Sequence, residues 1–145
     1  MRETPLAELT LRKYEKPFDI RGRDLVKKIC LSLGLLQPGD SRDVIVDVFS
    51  VLIIDRSLQD SDTIERRVKE LRRVEKLPLR GVAPSNIRRQ LKRLRDIYLV
   101  EKQGSQYRIT EGANLKDLFE EKIEKFYLRT ILERVKEYLS ELELR

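Results

Sequence analysis

The sequence predicts a mainly α-helical protein with a small β-hairpin and a long C-terminal helix. Three observations indicate this fold class. Apolar residues recur at helical spacing in several segments of residues 23–98. Two short alternating segments flank Gly104 and Ser105, and Gly104 can supply the positive φ of a tight hairpin. No Gly or Pro interrupts residues 114–144, so one helix could run for roughly 45 Å at 1.5 Å per residue.

The composition favours one compact domain with short appendages. At 145 residues and 40% apolar content the chain can build a real core. Charged residues make up 39%, well above the usual quarter, and this density is typical of a thermophile-like surface. No apolar run approaches the roughly 18 residues of a membrane span, and the N-terminus lacks the apolar region of a secretory signal. We expect no association with a membrane.

Several classes of function are excluded because the residue types that they need are absent or rare. A single Cys excludes an internal disulfide framework and fits a reducing cytoplasm, and Cys30 among apolar neighbours is expected to be a buried structural thiol. Without His, the usual zinc sites cannot be built and the commonest general base is absent. No Gly-rich phosphate loop appears. We therefore expect no enzyme, no metal and no cofactor.

The positive charge is concentrated in one segment. Residues 65–95 carry twelve Lys or Arg and three Glu, a net charge of +9, within a chain whose net charge is +6. Solvated helical faces normally mix both signs. A basic patch confined to one part of a fold is instead typical of a polyanion-binding protein.

The first forty residues predict a helical extension that packs on the core. Residues 1–18 are polar, with a short helix expected over residues 6–14 that ends before Pro17. Residues 23–36 have helical spacing of their apolar positions. The sequence QPGDS then breaks the helix, and Asp40 or Ser41 is expected to cap the next one.

Two further helices follow. Residues 42–58 are apolar on almost every face, which predicts a buried central helix, although their β-branched content leaves a strand as an alternative for part of the segment. SLQDSD predicts a turn. Asp62 and Glu65 then have the spacing of a capping box for a helix over residues 63–75. That helix buries a narrow apolar stripe and is expected to expose five cations. They are Arg66, Arg67, Lys69, Arg72 and Arg73.

The last part of the domain is a basic helix followed by the hairpin. After the nonhelical connection KLPLRGVAP, Ser85 is expected to cap a helix over residues 85–97, and LVEKQ and QYRIT form the two hairpin strands. The order of helix, helix, turn, basic helix and hairpin predicts a winged helix-turn-helix with an N-terminal helix and a long C-terminal helix. Three regions result: an N-terminal extension (1–41), the winged helix-turn-helix domain (42–112) and the C-terminal helix (113–145).

The stretch SNIRRQLKRLRDIYLVEKQGSQYRIT (85–110) resembles the recognition helix and wing of winged-helix transcription regulators of archaea and bacteria. Those proteins have a polar cap, a basic helix with Leu repeats, LxxLxxLGLV, and a charged wing ending in YxLT. The likeness is weaker over residues 42–84, and the turn between the two helices is longer than usual. Tyr98 stands where the family often has Gly. The chain also resembles an uncharacterised archaeal group of predicted regulators.

The resemblance implies that the basic helix (about 85–97) enters the major groove of duplex DNA and that the wing (about 99–110) lies on the backbone or in the minor groove. The candidates for contact with base edges are Ser85, Asn86, Arg88, Arg89 and Lys92. For Asn86, a simple first-turn residue is an equal alternative. The candidates for phosphate contact are Arg66, Arg67, Arg72, Arg73, Arg93 and Arg95. At the wing, the candidates are Lys102, Gln103, Ser105, Gln106 and Arg108. Tyr107 is expected to pack beneath the wing.

The C-terminal helix predicts a dimer interface. Its last part has apolar residues at alternating steps of four and three, the spacing of a heptad seam. The seam consists of Leu128, Leu132, Val135, Leu139 and Leu142. Two heptads are too short for an independent coiled coil, so the seam either pairs two subunits, which we favour, or folds back over the N-terminal helix.

The sequence therefore favours a cytoplasmic, homodimeric, sequence-specific regulator of transcription that binds double-stranded DNA. The alternative is a winged-helix module that binds protein in a transcription, replication or membrane-remodelling assembly; an apolar patch on the basic helix would favour it. RNA binding is less favoured, because few aromatic residues are placed to stack on bases. The sequence does not identify a small-molecule effector.

Overall fold

The computed structural model describes all 145 residues, and the protein is mainly helical with one small antiparallel sheet. The elements in chain order are α1 (Gly22–Ser32), α2 (Val44–Ile54), β1 (Gln59–Asp60), α3 (Ser61–Val74), α4 (Pro84–Asp96), β2 (Val100–Gln103), β3 (Gln106–Ile109), a 3-10 turn (Thr110–Gly112), α5 (Leu115–Leu118), a π-helical segment (Phe119–Tyr127) and α6 (Leu128–Glu143). None of these helices combines the length and the apolar character needed to cross a bilayer.

The predicted hairpin is confirmed, and the sheet has one strand more than expected. β2 and β3 pair through a two-residue loop in which Gly104 has φ +61°. A positive φ at the first loop residue suits the right-handed twist of the strands. The segment predicted as a turn contains β1, which pairs with the outer edge of β3 in the strand order β1-β3-β2. A two-residue strand is too short to leave a periodic signal in the sequence.

The core is a single cluster of buried residues centred on α2. Nine of the eleven residues of α2 are buried, which confirms the buried central helix and excludes the strand alternative. α1, α3 and α4 pack around it, and Leu118 and Ile123 of the C-terminal region complete the cluster. Cys30 is fully buried, as expected, and burial raises the pKa of its thiol to about 12.

The helix starts differ from the predicted caps. Asp60, rather than the box of Asp62 and Glu65, caps α3, because its carboxylate accepts the backbone N–H of Thr63 at 2.8 Å. Likewise α4 begins one residue before Ser85, with Pro84 in its first turn and no side-chain cap. Pro suits a first turn, where its missing N–H has no partner to lose.

The predicted short helix near the N-terminus is wrong. Residues 1–21 have no regular secondary structure and run along the end of α1. The backbone N–H of Arg12 donates to Ser32 O at 2.8 Å, and the Arg12 guanidinium donates to the carbonyls of Leu31 and Leu36. These contacts with distant residues replace the hydrogen bonds that a local helix would make.

The C-terminal region is continuously helical from Leu115 to Glu143, with a π-helical segment in its middle. Its first half packs on the core through Leu118 and Ile123. No residue of α6 is buried, so the alternative in which the seam folds back over the N-terminal helix is wrong.

Candidate nucleic-acid interface

The most basic exposed surface belongs to α4. Ile87, Leu91 and Leu94 face the core and are fully buried. After Pro84, six side chains on the remaining faces are exposed, and four of them are cationic. They are Ser85, Arg88, Arg89, Lys92, Arg95 and Asp96. Lys92 alone among the four cations has a carboxylate partner, Asp96 at 3.0 Å. α4 therefore presents three unpaired guanidinium groups and one paired ammonium group to solvent.

The start of α4 is fixed to the turn before it. The Asn86 amide donates to Gly81 O at 2.6 Å, and its oxygen accepts from Gln90 at 3.0 Å. Gly81 has φ +75°, and a Cβ there would lie 3.2 Å from both Asn86 and Val44. Both ends of the Asn86 amide are thus engaged within the protein, which favours the alternative in which Asn86 is a first-turn residue that positions the helix.

A buried network of four charged residues holds the same turn from the other side. Arg72 donates to Asp43 at 3.0 Å, to Asp47 at 2.7 Å and to the carbonyl of Pro78 at 2.7 Å. Arg23 completes the network through hydrogen bonds of 3.0 Å to each of the same carboxylates. Two positive and two negative charges balance, as buried ions require.

Arg72 is consequently not the exposed phosphate candidate that the sequence predicted. It is only 3% exposed, and its donors are used inside the protein. Two features of the sequence could have indicated this. Arg72 follows the buried Val68 by four residues and so continues the apolar stripe of α3, and Asp47 interrupts an otherwise apolar helix where an isolated charge would be costly. The other three members of the network were not predicted either. They are Asp43, Asp47 and Arg23.

The structure divides the twelve cations of residues 65–95 into two groups. Five have a carboxylate within 4.0 Å; these are Arg67, Lys69, Arg72, Arg73 and Lys92. The other seven have none; these are Arg66, Lys76, Arg80, Arg88, Arg89, Arg93 and Arg95. Arg67 binds both Asp55 and Gln59 and so ties α3 to the chain before it.

Arg93 lies half-buried on the flank of α4. Its guanidinium donates to Leu35 O at 2.7 Å and to Gln90 at 2.8 Å, both neutral acceptors. Burial, together with the neighbouring positive charge of Arg89, lowers the pKa of Arg93. Arg93 therefore lies at the edge of the exposed surface of α4, on the side of the helix that also carries Arg89.

The hairpin offers a smaller set of polar side chains. Lys102, Gln103, Ser105 and Gln106 are exposed near its tip, whereas Arg108 is half-buried and paired with Glu101 at 2.8 Å. Tyr107 is 5% exposed and packs beneath the hairpin, as predicted.

The junction between α4 and the hairpin explains why Tyr98 can replace the expected Gly. Tyr98 has φ +66°, and the N–H groups of Tyr98 and Leu99 donate to the carbonyls of Arg95 and Leu94. This is the Schellman arrangement, in which Gly is usual because a side chain strains the left-handed conformation. Here the side chain has packing partners: the Tyr98 ring makes edge contacts with Phe126 and Tyr127, at centroid distances of 5.9 and 5.5 Å.

The predicted seam of α6 is an exposed apolar stripe. Leu128 is half-buried, and the remaining four residues are exposed. Tyr138 beside them is also exposed. No three His, Cys, Asp or Glu side chains come close enough together to hold a metal ion.

No family model, curated protein or solved structure matches the chain in the three comparisons with known proteins.

Proposed function

We propose that this protein is a winged helix-turn-helix regulator of transcription that binds double-stranded DNA in a sequence-specific manner. The observation that carries the proposal is the exposed face of α4, where three guanidinium groups lack any carboxylate partner. Unpaired arginines on one helix face are suited to bind phosphates and the acceptor edge of guanine.

The order of elements supports the proposed fold. α2, α3 and α4 are followed by the β2–β3 hairpin, which is the order of helices and wing expected from the resemblance. In this arrangement Ser85, Arg88, Arg89 and Lys92 occupy the first half of the helix that enters the major groove, while Arg95 lies near its end, towards the backbone. The exposed side chains at the hairpin tip reach the backbone or the minor groove.

A homodimer suits this function because two copies can read two half-sites. A second copy of the chain presents the same apolar stripe of α6, and pairing about a two-fold axis removes both stripes from water. The seam is short, so the dimer depends on protein concentration. We place this function in the cytoplasm, where a DNA regulator meets its ligand and a free thiol stays reduced.

The test is binding to duplex DNA, measured by fluorescence anisotropy at several salt concentrations. The variant Arg88→Ala/Arg89→Ala/Lys92→Ala removes three cations from α4. We expect wild type to bind with a steep negative slope of log affinity against log salt, and the variant to lose affinity and roughly two to three units of that slope.

The control removes the same charge elsewhere. Lys13, Lys16 and Lys125 are exposed and have no carboxylate partner, so their triple Ala variant has the same net charge as the α4 variant. Equal losses in both variants would mean that only net charge matters and would refute the assignment to α4. Absence of binding by wild type at low salt would refute the function as a whole.

Sequence specificity needs a separate readout. Selection of sites from random duplexes by wild type is expected to yield a motif, and Arg89→Ala is expected to relax one position of it by about 1–3 kcal/mol. An unchanged preference in every single variant of α4 would show that the protein reads only the backbone.

The alternative function is a protein-binding module with the same fold. None of the large hydrophobic side chains that the protein exposes lies on α4, and five of them lie together on α6. The apolar stripe of α6 is therefore the place to look for a protein partner if duplex binding fails.

A further inference from the structure

A cleft of about 960 Å³ lies beside the exposed face of α4. Its walls are the segment before α2, the turn between α3 and α4, and the flank of α4 that carries Arg93, and α1 and α3 contribute one residue each. Only two of its fifteen lining residues are hydrophobic. Six are cationic and two are acidic, so the lining has a net charge of +4. The cations are Lys27, Arg42, Arg72, Arg80, Arg89 and Arg93.

Two of these cations are neutralised within the protein. Arg72 belongs to the buried network, and Arg42 pairs with Asp40 at 3.1 Å. Both acids of the cleft are used in these pairs, since Asp43 accepts from Arg72 and Arg23. The remaining four cations have no carboxylate within 4.0 Å. They are Lys27, Arg80, Arg89 and Arg93.

Arg93 is the most constrained of the four. Its hydrogen bonds to Leu35 and Gln90 fix the guanidinium in the wall of the cleft, and Gln90 is itself held by Asn86. A half-buried cation with only neutral partners destabilises the folded protein, and a nearby like charge adds to this cost. The lowered pKa of Arg93 agrees with such an environment. An anion in the cleft would supply the missing counter-charge.

We infer that this basic cleft is a phosphate-binding site. Guanidinium groups bind phosphate through paired N–H donors, and four unpaired cations around one cleft suit a group with more than one negative charge. The volume falls in the range of small-molecule sites and exceeds what a single phosphate needs. The phosphate belongs either to a free phosphorylated small molecule or to the backbone of a duplex. The first source is independent of the proposed function, and the second rests on it.

The first arm of the test uses inorganic pyrophosphate, titrated into the protein by calorimetry in buffer of constant ionic strength. Arg80→Ala and Lys27→Ala each remove an unpaired cation that makes no hydrogen bond within the protein, so neither is expected to disturb the fold. Each should weaken binding about tenfold, the loss of one charge-assisted hydrogen bond. Lys125→Ala on the C-terminal helix is the control with the same charge and should bind like wild type.

The second arm measures duplex affinity of the same variants by anisotropy. If pyrophosphate binds wild type more tightly than it binds Arg80→Ala, and Arg80→Ala binds duplex as well as Lys125→Ala does, the cleft takes a free phosphorylated molecule. If Arg80→Ala and Lys27→Ala both weaken duplex binding relative to Lys125→Ala, the cleft takes a backbone phosphate. Any pyrophosphate that binds in the cleft should then compete with the duplex.

The inference is overturned if both arms are negative. The first arm is negative if pyrophosphate gives no binding heat or binds wild type and Arg80→Ala equally. The second arm is negative if Arg80→Ala, Lys27→Ala and Lys125→Ala have the same duplex affinity. The proposed function is judged separately by the variant Arg88→Ala/Lys92→Ala, because Arg88 and Lys92 lie outside the cleft whereas Arg89 lines it. Failure of the cleft and failure of the α4 interface are therefore distinguishable.

Discussion

Replacement of Arg72 by Met tests whether the buried charge network stabilises the fold. The side chain of Arg72 is 4% exposed and that of Asp47 is fully buried. Arg72→Met removes both ion pairs and the hydrogen bond to Pro78 O, and leaves two carboxylates with Arg23 alone. Removing one partner of a buried pair costs about 3–5 kcal/mol, because a charge stays buried without compensation. That is a large part of the roughly 5–15 kcal/mol that stabilises a typical domain.

Urea denaturation followed by circular dichroism measures this cost. With a slope of about 2 kcal/mol per molar urea, the midpoint of Arg72→Met should fall by roughly 1.5–2.5 M. Arg73→Met is the control, since Arg73 is the next residue, is 59% exposed at its side chain, and has its nearest carboxylate at 3.9 Å. Its midpoint should stay within about 0.3 M of wild type, because exposed pairs contribute little.

A second variant separates charge from shape. Arg72→Met/Asp47→Leu leaves one Arg and one Asp, so the buried charge balances again, and it should be more stable than Arg72→Met alone. The reasoning would be refuted if Arg72→Met cost no more than Arg73→Met, or if the double variant were less stable than Arg72→Met.

The same network gives a dependence on pH with a defined sign. Burial works against the ionised form of Asp43, but hydrogen bonds from Arg72 and Arg23 outweigh it and hold the pKa of Asp43 below the ordinary 3.8. A lower pKa in the folded state means that the stabilisation is present above about pH 4 and is lost as the pH falls through the folded-state pKa. The deficit of Arg72→Met should shrink between pH 6 and pH 3, because protonation removes the uncompensated charge. A deficit constant over this range would contradict the electrostatic origin.

Three further changes test other parts of the structure. In urea denaturation, Tyr98→Ala should be less stable than Tyr98→Gly by about 1 kcal/mol. Both variants lose the ring contact with Phe126, but only Gly relieves the strain of the positive φ. Equal stability of the two variants would show that the positive φ causes no strain. Gly34→Ala should release the N-terminal segment to limited proteolysis, since Gly34 has φ +70° and a Cβ there would overlap Thr10; protection equal to wild type would contradict this packing. Leu139→Glu should convert a concentration-dependent dimer to a monomer in analytical ultracentrifugation without loss of helical signal, and an unchanged mass would place any dimer contact elsewhere.

Local patterns predicted α4 and the hairpin well because each has its cause within a few residues. The burial of Ile87, Leu91 and Leu94 follows from helical spacing alone, and the hairpin loop follows from Gly104. Even the departure from Gly at Tyr98 was visible in the sequence, although its explanation lies 28 and 29 residues further along the chain, in the rings of Phe126 and Tyr127.

Features with distant causes were not predictable in the same way. Residues 6–14 have no strong conformational preference, and the carbonyls at the end of α1 decide their conformation. The burial of Arg72 depends on Asp43 and Asp47, which lie 29 and 25 residues away in the chain. Charge counts along the sequence cannot separate a cation that balances a buried acid from one that is free to bind a ligand.

Under the proposed function, the paired and the unpaired cations of the basic segment have different roles. Of its twelve cations, the five that are paired stabilise helices or hold the turn before α4, and Arg72 does so most directly through the carbonyl of Pro78. The seven unpaired cations include Arg89 and Arg93, close enough that one lowers the pKa of the other, so they destabilise the unliganded protein by repulsion. Without a ligand, this repulsion only destabilises the fold. When a polyanion binds, the same charges make attractive contacts with it, on a helix whose position the buried network has already fixed.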